Sequence, residues 1–146
     1  GNSILRIIHY PPLADAFTPG AVRAAQHEDI NLITLLCEGT ASGLEILTRT
    51  GQWIPVDTLK GQIVVDSGDM LSRVTNDVMP ATTHRVVNPD GPDLARYSMP
   101  FFVHPHPDCV LKPVPSTETP ENPAKYPPIT ADEFLRERLR EIGLIQ

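Results

Sequence analysis

The sequence is poor in cysteine, in aromatic residues and in long apolar runs. Its 146 residues include two cysteines, one tryptophan and 5% aromatic residues in all. Cys37 and Cys109 show no C-x-x-C spacing and are too few for a disulfide scaffold, so we expect a protein of the reducing cytoplasm. No stretch reaches the roughly 18 consecutive apolar residues of a membrane helix, and no basic segment followed by an apolar one opens the chain. We therefore expect neither a membrane span nor a signal peptide.

Positive charge is also scarce. The chain has 12 Lys and Arg residues against 18 Asp and Glu residues, a net charge of -6, and the basic residues are scattered. This pattern argues against a nucleic-acid partner, because binding to a phosphate backbone requires clustered positive charge. A G-x-S-x-G motif, a Ser-His-Asp arrangement and a glycine-rich phosphate loop are also missing, so the chemistry that these motifs carry is not indicated.

What the chain does contain is a series of short extended segments. With 146 residues and 40% hydrophobic content, it is long enough for one domain with a substantial core. Turn residues separate seven strand-like stretches: SILRIIHY, NLITLLC, GLEILT, QWIPV, QIVVD, THRVV and ARYSMPFFV. Because no convincing helix lies between them, they predict a mainly β fold, either a sandwich, a barrel or a jelly roll. LEILTRTGQWIPV predicts a hairpin with its turn at Thr50 and Gly51, and VDSGDM predicts a second turn.

The last third of the chain differs in composition. Eight prolines lie from Pro105 to Pro128, and we expect residues 104–129 to form an irregular or polyproline connection across the surface. This connection leads to the one strong helix, predicted over residues 131–142. Thr130 and Glu133 form a capping-box pattern at its start, and Gly143 marks its end. The residues of its apolar stripe are Leu135, Leu139 and Ile142.

A histidine and an aspartate two residues apart form a candidate metal site. His27 and Asp29 directly precede the apolar run INLITLL. Side chains at positions i and i+2 of a strand point the same way, so both can reach one ion while Glu28 faces elsewhere. A second histidine, for which His84 is the candidate, would complete the facial triad associated with non-haem Fe(II) oxygenases. H-x-D alone is a weak signal, and a polar pair at the protein surface is the alternative.

A second pair of polar residues predicts an anion site. Arg96 and Ser98 also stand at positions i and i+2, whereas Tyr97, Met99 and Phe101 form the opposite, apolar face of the same stretch. An arginine can bind a carboxylate through two parallel hydrogen bonds, and a hydroxyl two residues on can add a third. An anion site beside a metal site would suit a dicarboxylate co-substrate. The alternative is an arginine that simply faces solvent.

Other candidate residues have simpler interpretations. HPHPD contains His104 and His106, but these residues alternate with prolines after the last predicted strand, which indicates a surface exit from the sheet. We expect the side chains of three aspartates in turn-like sequence to bond their own backbone, and these are Asp66, Asp69 and Asp77. We expect two aromatic residues, Trp53 and Tyr97, to belong to the core.

Together these motifs resemble the isopenicillin N synthase-like family of Fe(II)- and 2-oxoglutarate-dependent oxygenases. The segments that carry the resemblance run in order over nearly the whole chain: HED with the apolar segments after it, RVTNDVMPATTHRVVNP, RYSMPFFVHPHPD and YPPITADEFLRERLREIGL. The resemblance implies a double-stranded β-helix, a cupin-like jelly roll whose mouth holds the iron, and it assigns residues 1–146 to the catalytic domain. It also implies two sets of roles: iron ligation by His27, Asp29 and His84, and contacts to 2-oxoglutarate by Arg96, Ser98 and Tyr10.

The activity that the resemblance implies is the oxidation, commonly the hydroxylation, of an unactivated C–H bond in a small-molecule substrate. O2 and 2-oxoglutarate would be converted to CO2 and succinate. Two alternatives stay open: a family oxidase that does not use 2-oxoglutarate, and a non-catalytic cupin-like binding module or inactive fragment.

The sequence departs from the family pattern in two respects. Many members have an asparagine where this chain has Ile8, so contacts to the co-substrate on that side are expected to differ. The family also carries a long amino-terminal portion before the jelly roll, which we expect to be missing here. Its absence would expose the apolar face of Tyr97, Met99 and Phe101 and would allow a homodimer.

Overall fold

The protein is described by a computed structural model that covers residues 1–12, 21–37, 42–56, 61–88 and 94–146. Two antiparallel sheets of four strands each contain most of its strands. The architecture is a mainly β jelly roll with a carboxy-terminal helix, and the predicted fold class is confirmed. Within the described ranges, no helix combines the length and the apolar character needed to cross a membrane.

The strands are short. In chain order they are β1 (Ile4–Leu5), β2 (Ile8–Tyr10), β3 (Ala24–His27), β4 (Ile33–Cys37), β5 (Leu44–Leu47), β6 (Trp53–Pro55), β7 (Ile63–Ser67), β8 (His84–Val86), β9 (Arg96–Ser98), β10 (Pro100–Val103), β11 (Val110–Leu111) and β12 (Ile129–Thr130). The helices are α1 (Asp69–Val74) and α2 (Ala131–Glu141), and a short 3-10 helix spans Pro115–Thr117.

The four-stranded sheet with the longer central strands is called the larger sheet below, and the other is called the smaller sheet. The larger sheet has the order β1-β10-β4-β7. Its strand β4 comes from the apolar run after the His-Asp pair, whose β-branched and leucine residues favour a β-strand. Thr34 and Leu36 are buried and point inward, whereas Leu35 lies between Phe101 and Val65 in a cross-strand row on the outer face. This alternation gives the sheet one face toward the second sheet and one face toward the surface.

The smaller sheet has the order β3-β8-β5-β6. The predicted hairpin is confirmed, because β5 and β6 pair in antiparallel register and Gly51 adopts a positive φ of 79° at the turn. Trp53 in β6 is only half-buried, and the Arg85 guanidinium stacks 4.1 Å from the centre of its ring. The core position predicted for Trp53 is therefore wrong, since the ring lies against a charged side chain at the edge of the sheet.

Two of the predicted strands are interrupted. SILRIIHY forms β1 and β2, and ARYSMPFFV forms β9 and β10, so that β1 pairs with β10 while β2 pairs with β9. The breaks at Arg6–Ile7 and at Met99 let one continuous extended stretch take part in two strand pairs. Burial alternates without a gap from Arg96 to Phe101, which explains why the sequence pattern predicted a single strand.

The first helix is absent from the sequence prediction. VDSGDM predicts a turn, whereas the structure continues β7 to Ser67 and begins α1 at Asp69. Met70 of this helix is fully buried, and six residues are too few to form a stable helix by local propensity alone. Burial of Met70 and backbone hydrogen bonds from the helix start to the segment after β3 stabilise it.

The second helix begins as predicted. Thr130 accepts a hydrogen bond from the Glu133 backbone while the Glu133 carboxylate accepts one from the Thr130 backbone, and Gly143 follows the helix end with φ 76°. The helix covers 131–141, one residue shorter than predicted. Its buried residues are Ala131 and Phe134, whereas the predicted stripe is half-buried at Leu135 and Leu139 and 60% exposed at Ile142. The buried face of the helix is thus centred on Phe134 instead of the predicted stripe, because the aromatic ring offers more apolar area to bury.

The buried apolar cluster lies where the helices pack on β11 and β12. Its members are Met70, Leu111, Ala131 and Phe134. The space between the two sheets is occupied by a cavity instead, which leaves room for a ligand inside the jelly roll.

The proline-rich connection of residues 104–129 is more ordered than its composition predicts. It contains β11, the 3-10 helix and the start of β12, and it is tied to the turn after α1. Asn76 is fully buried and donates through Nδ2 to the carbonyls of Asn122 and Pro123 at 3.0 and 3.1 Å. Asp77 accepts hydrogen bonds from Lys125 and Tyr126 at 2.9 and 2.8 Å.

Candidate functional site

Two histidines face each other across one strand pair of the smaller sheet. His27 ends β3 and lies directly opposite His84, the first residue of β8. Directly opposed residues of antiparallel strands bring their side chains together, and the two imidazole rings lie 4.3 Å apart between centroids. The pairing between β3 and β8 therefore joins two residues that are far apart in the sequence.

Each imidazole is oriented by a backbone carbonyl. Nδ1 of His27 lies 2.8 Å from the Ala25 carbonyl oxygen, and Nδ1 of His84 lies 3.0 Å from the Thr82 carbonyl oxygen. Because a carbonyl oxygen only accepts, Nδ1 is the donor in both contacts, and in the neutral imidazole Nε2 then keeps a free lone pair. Both lone pairs are therefore available to an electrophile such as a metal ion.

Asp29 completes the group. It lies two residues beyond the end of β3, and only 8% of its surface is exposed. Its Oδ1 atom lies 3.7 Å from Nε2 of His27 and 3.9 Å from Nε2 of His84. One ligand atom from each of the three residues lies within 4.8 Å of the others, close enough for all three to contact one ion. Two imidazole nitrogens and one carboxylate oxygen are a donor set suited to Fe(II).

Glu28 does not belong to this group, as the sequence predicts. Its side chain is directed away and accepts a hydrogen bond of 2.7 Å from the Thr83 hydroxyl. The side chains of His27 and Asp29 thus point to the same site, and that of Glu28 does not. This holds although Asp29 lies outside β3.

Arg96 and Ser98 point into the interior from β9. Their exposed fractions are 3% and 6%, whereas that of Tyr97 between them is 49%. Tyr97 stacks on His9 at the outer surface, so its predicted core position is wrong. Tyr10 pairs with Arg96 in the strand register, and the Arg96 guanidinium lies 5.4 Å from the centre of the Tyr10 ring.

Burial lowers the pKa of Arg96, and nearby Arg23 lowers it further while Tyr10 opposes the shift. The ordinary pKa of an arginine lies so far above neutral that the guanidinium stays charged at pH 7. A buried cation that stays charged favours an anionic ligand.

One cavity of about 310 Å³ joins the two groups of residues. It lies between the two sheets and is lined by inward-facing side chains of both. The histidine-aspartate group, Arg96, Ser98, Tyr10 and Ile8 all contribute to its wall. The remaining wall is largely apolar, with contributions from Leu36, Leu44, Ile46, Val64, Val86 and Phe102.

Asp66 also faces this cavity, and its predicted place in a turn is wrong. It belongs to β7, and its Oδ2 atom lies 3.3 Å from Nδ1 of His84. Burial raises the pKa of Asp66, and the neighbouring His84 lowers it in part. Its position two residues after Val64 in QIVVD places it on the inward face, a period-two signal that could have identified it.

The competing motif HPHPD does not assemble a metal site. Among the described residues, the one cluster of three metal-binding side chains is His27, Asp29 and His84. His106 is exposed and lies 3.6 Å from Asp108. His104 is half-buried, and burial lowers its pKa while distant Asp29 opposes the shift.

Asp69 begins α1, where burial and then Glu28 raise its pKa to about 6.

Comparison with known proteins points to one family. The profile described as 2OG-Fe(II) oxygenase superfamily matches residues 1–105. The 2-oxoglutarate-Fe(II) type oxidoreductase hxnY of Emericella nidulans is 36% identical over 138 residues, which are 93% of this chain and 39% of that protein.

Two crystal structures are similar over almost the whole chain. A 2OG-Fe(II) oxygenase family protein from Caulobacter crescentus is 50% identical, with a TM-score of 0.87 over 98% of this chain and 47% of that one. A full-length Neurospora crassa protein, crystallised in complex with alpha-KG and thymine, is 35% identical, with a TM-score of 0.89 over 97% of this chain and 45% of that one. The chain thus spans less than half the length of each of these three relatives.

Proposed function

The chain belongs to the 2OG-Fe(II) oxygenase superfamily, and from this membership we propose that residues 1–146 supply the catalytic jelly-roll domain of a non-haem iron dioxygenase. In the proposed reaction, a substrate C–H bond becomes C–OH while 2-oxoglutarate loses CO2 and becomes succinate. One oxygen atom of O2 enters the product and the other enters succinate. The observation that carries the proposal is the meeting of a histidine-aspartate-histidine group with a buried arginine in one cavity.

The iron would be held by Nε2 of His27, Oδ1 of Asp29 and Nε2 of His84. The donor set supports this assignment because Nδ1 of each imidazole bonds a backbone carbonyl, which leaves Nε2 of the neutral ring free for a metal. When bound, Fe(II) supplies the redox chemistry that activates O2. The protein contributes two neutral ligands and one anionic ligand, and it holds the two imidazoles from behind through backbone carbonyls.

The 2-oxoglutarate would bind with its distal carboxylate against Arg96 and Ser98. Arg96 offers a charged fork of hydrogen-bond donors, Ser98 offers a hydroxyl on the same face of β9, and Tyr10 lies beside the guanidinium. Because Ile8 contributes an apolar side chain to this cavity wall, it cannot donate a side-chain hydrogen bond to the co-substrate. The hydrogen bonds that bind the distal carboxylate of 2-oxoglutarate would therefore come from Arg96 and Ser98 of β9.

The apolar wall has two consequences for the reaction. It limits the number of water molecules near the reacting C–H bond, and it restricts the substrate to small molecules that fit beside the co-substrate in about 310 Å³. The Neurospora crassa relative was crystallised with thymine, and a small molecule is likewise the proposed substrate class of this chain.

The test is whether Fe(II) and 2-oxoglutarate are used together. The chain is loaded anaerobically with Fe(II), mixed with 2-oxoglutarate and O2, and assayed for succinate by mass spectrometry, with His27→Ala as the matched inactive variant. Succinate from the wild type above the level of His27→Ala supports the proposal. Tight Fe(II) binding without succinate would overturn it and favour an oxidase independent of 2-oxoglutarate or a binding module.

Two further proposals concern the state of the protein. Cys37 and Cys109 are both free and exposed, which is the usual state of cysteines in a reducing compartment and supports a cytoplasmic location. The apolar face predicted at Tyr97, Met99 and Phe101 is exposed, and beside Phe101 the outer face of the larger sheet also exposes Leu5 and Val65. Such an apolar patch favours contact with another protein surface, and we propose that the chain forms a homodimer through it.

A further inference from the structure

The two oxygen atoms of the Asp29 carboxylate have different surroundings. Oδ1 is directed at the histidines, 3.7 Å from Nε2 of His27 and 3.9 Å from Nε2 of His84. Oδ2 accepts a hydrogen bond from the Thr34 hydroxyl. The carboxylate is therefore divided between a face turned to the candidate metal position and a face turned to β4.

A second buried residue fixes the direction of this hydrogen bond. The Asn31 amide donates through Nδ2 to Oγ1 of Thr34 at 2.8 Å. An amide nitrogen only donates, so the Thr34 oxygen accepts from Asn31 and its single proton is left for Oδ2 of Asp29. The reverse orientation of the amide would offer two acceptors to one hydroxyl proton, which makes it the poorer arrangement.

The chain Asn31–Thr34–Asp29 has little freedom to rearrange. Asn31 and Thr34 are 1% and 5% exposed, so neither can exchange its partner for bulk water. The backbone of the same segment is held by the start of α1, since Asp69 N–H donates to the Asp29 carbonyl at 2.8 Å. A Cβ atom at Gly68 would lie 2.2 Å from the Asn31 carbonyl oxygen, so only glycine permits this close approach.

We propose that Thr34 is a positioning residue that keeps Asp29 a metal ligand through Oδ1 alone. This inference rests on the iron site proposed above. A carboxylate can bind a cation through one oxygen or through both, and a hydrogen bond to Oδ2 removes the second oxygen from competition. The coordination position that Oδ2 would otherwise take stays available for the co-substrate. Thr34 thus acts on the metal through its hydrogen bond to Asp29.

The test compares Thr34→Val, which keeps the shape of the side chain and removes the hydroxyl, with Thr34→Ser, which keeps the hydroxyl. Co(II) is the probe, because its visible absorption reports the number and geometry of its ligands. We expect the Co(II) spectrum of Thr34→Val to differ from that of the wild type. We also expect its affinity for 2-oxoglutarate in the Co(II) form to fall at least about 10-fold, the lower end for changes behind a metal ligand. Thr34→Ser should retain the spectrum and the affinity of the wild type.

The possible failures are distinguishable. A wild type that binds no Co(II) would overturn the iron site and this inference with it. If the wild type binds Co(II) and Thr34→Val gives a superimposable spectrum with unchanged affinity for 2-oxoglutarate, only the role of Thr34 is refuted.

A measurement on the wild type alone covers the case in which Thr34→Val does not fold. Infrared difference spectra of protein with 13C-labelled aspartate, with and without Co(II), separate one-oxygen from two-oxygen ligation by the splitting of the carboxylate stretches. The one-oxygen splitting supports the role of Thr34, and the two-oxygen splitting overturns it.

Discussion

His27 and His84 bond backbone carbonyls through Nδ1 and present Nε2 to each other across the pair of β3 and β8. The cost of orienting both rings is thus met by the fold before any ligand binds. A metal that binds here loses little free energy to reorganisation of the protein, since the tautomers and ring planes are already set.

Removal of one imidazole should abolish tight metal binding. For His27→Ala we expect the Co(II) or Fe(II) affinity to fall by more than about 100-fold, beyond the range seen for residues behind a ligand, as measured by calorimetric titration. His106→Ala is the matched control, because His106 is an exposed histidine of the competing HPHPD motif. Equal losses for the two variants would contradict the assigned ligands.

Arg96 should determine the affinity for 2-oxoglutarate. Arg96→Lys keeps the charge but loses the planar fork, and a lost hydrogen bond between charged groups is worth about 1.5–3 kcal/mol. We expect the dissociation constant of 2-oxoglutarate to rise about 10- to 100-fold while the Co(II) affinity of the protein stays constant. Arg85→Lys, outside the cavity, should change neither value. Unchanged binding in Arg96→Lys would place the distal carboxylate elsewhere.

At the scale of elements, α2 shows how an aromatic residue determines which face of a helix is buried. Phe134 is 6% exposed, and the guanidinium groups of Arg73 and Arg138 lie 5.4 and 5.5 Å from its ring centre. Ile142, at the end of the predicted stripe, is 60% exposed. The helix is therefore anchored by its first two turns, and its end contributes little to the core.

This difference predicts unequal costs of truncation. Phe134→Ala should lower the free energy of unfolding by about 3–5 kcal/mol, the usual cost of removing a buried aromatic ring. Ile142→Ala should change it by less than about 0.5 kcal/mol, as for other exposed positions. Urea unfolding followed by circular dichroism measures both. A larger loss for Ile142→Ala than for Phe134→Ala would mean that the stripe predicted from sequence is the buried one after all.

The turn after α1 should make stability depend on pH in acid. Burial by itself would raise the pKa of Asp77, but hydrogen bonds from Lys125, Tyr126 and Ser72 outweigh it and lower the pKa below 3.8. A carboxyl with a lowered folded pKa stabilises the protein above its unfolded pKa, and the contribution is lost as the pH falls below 3.8.

Asp77→Asn tests this directly, since asparagine also tolerates the positive φ of 64° at this position. We expect the variant to be less stable than the wild type by about 1 kcal/mol at pH 7, a modest value because the group is partly exposed. The difference should shrink as the pH falls below 3.8. Thermal unfolding at a series of pH values measures it, and a difference that does not change with pH would rule out the ionised carboxylate as its source.

At the scale of the whole molecule, the two faces of the larger sheet differ in what they contact. The inner face lines the cavity, whereas the outer face carries a row of apolar residues in which Leu5, Phe101 and Val65 are 59%, 37% and 61% exposed. The main buried cluster lies elsewhere, under the helices. The outer face is thus the apolar surface that this sheet offers to a partner, and a second copy is the proposed partner.

Self-association through this face should depend on protein concentration. Analytical ultracentrifugation of the wild type is expected to show a monomer–dimer equilibrium, and the double variant Val65→Lys with Phe101→Lys should sediment as a monomer. Ile54→Lys, at an exposed position of the smaller sheet, should leave the equilibrium unchanged. A wild type that stays monomeric at all concentrations would contradict the homodimer.

The sequence by itself determined the local features and the identities of the site residues. Short extended segments bounded by turn residues predicted most strands, and the capping-box pattern predicted the start of α2 at Thr130, because both depend on neighbours within a few positions. The spacing of His27 and Asp29 predicted a shared direction for the same reason. His84 was already the candidate for the distant partner, and the resemblance to a family then implied its role as a ligand.

Only the tertiary structure decided what depends on contacts between distant segments. The register of β3 with β8 brings His84 opposite His27, the breaks at Arg6–Ile7 and Met99 divide two extended stretches between two strand pairs, and burial of Met70 forms α1 from a sequence too short to be helical alone. Thr34 behind Asp29 was missed for the same physical reason, whereas the inward direction of Asp66 was present in the local pattern of QIVVD and only its neighbour His84 was not. Which side chains meet inside a jelly roll is fixed by pairing between strands remote in sequence, and no local pattern contains that information.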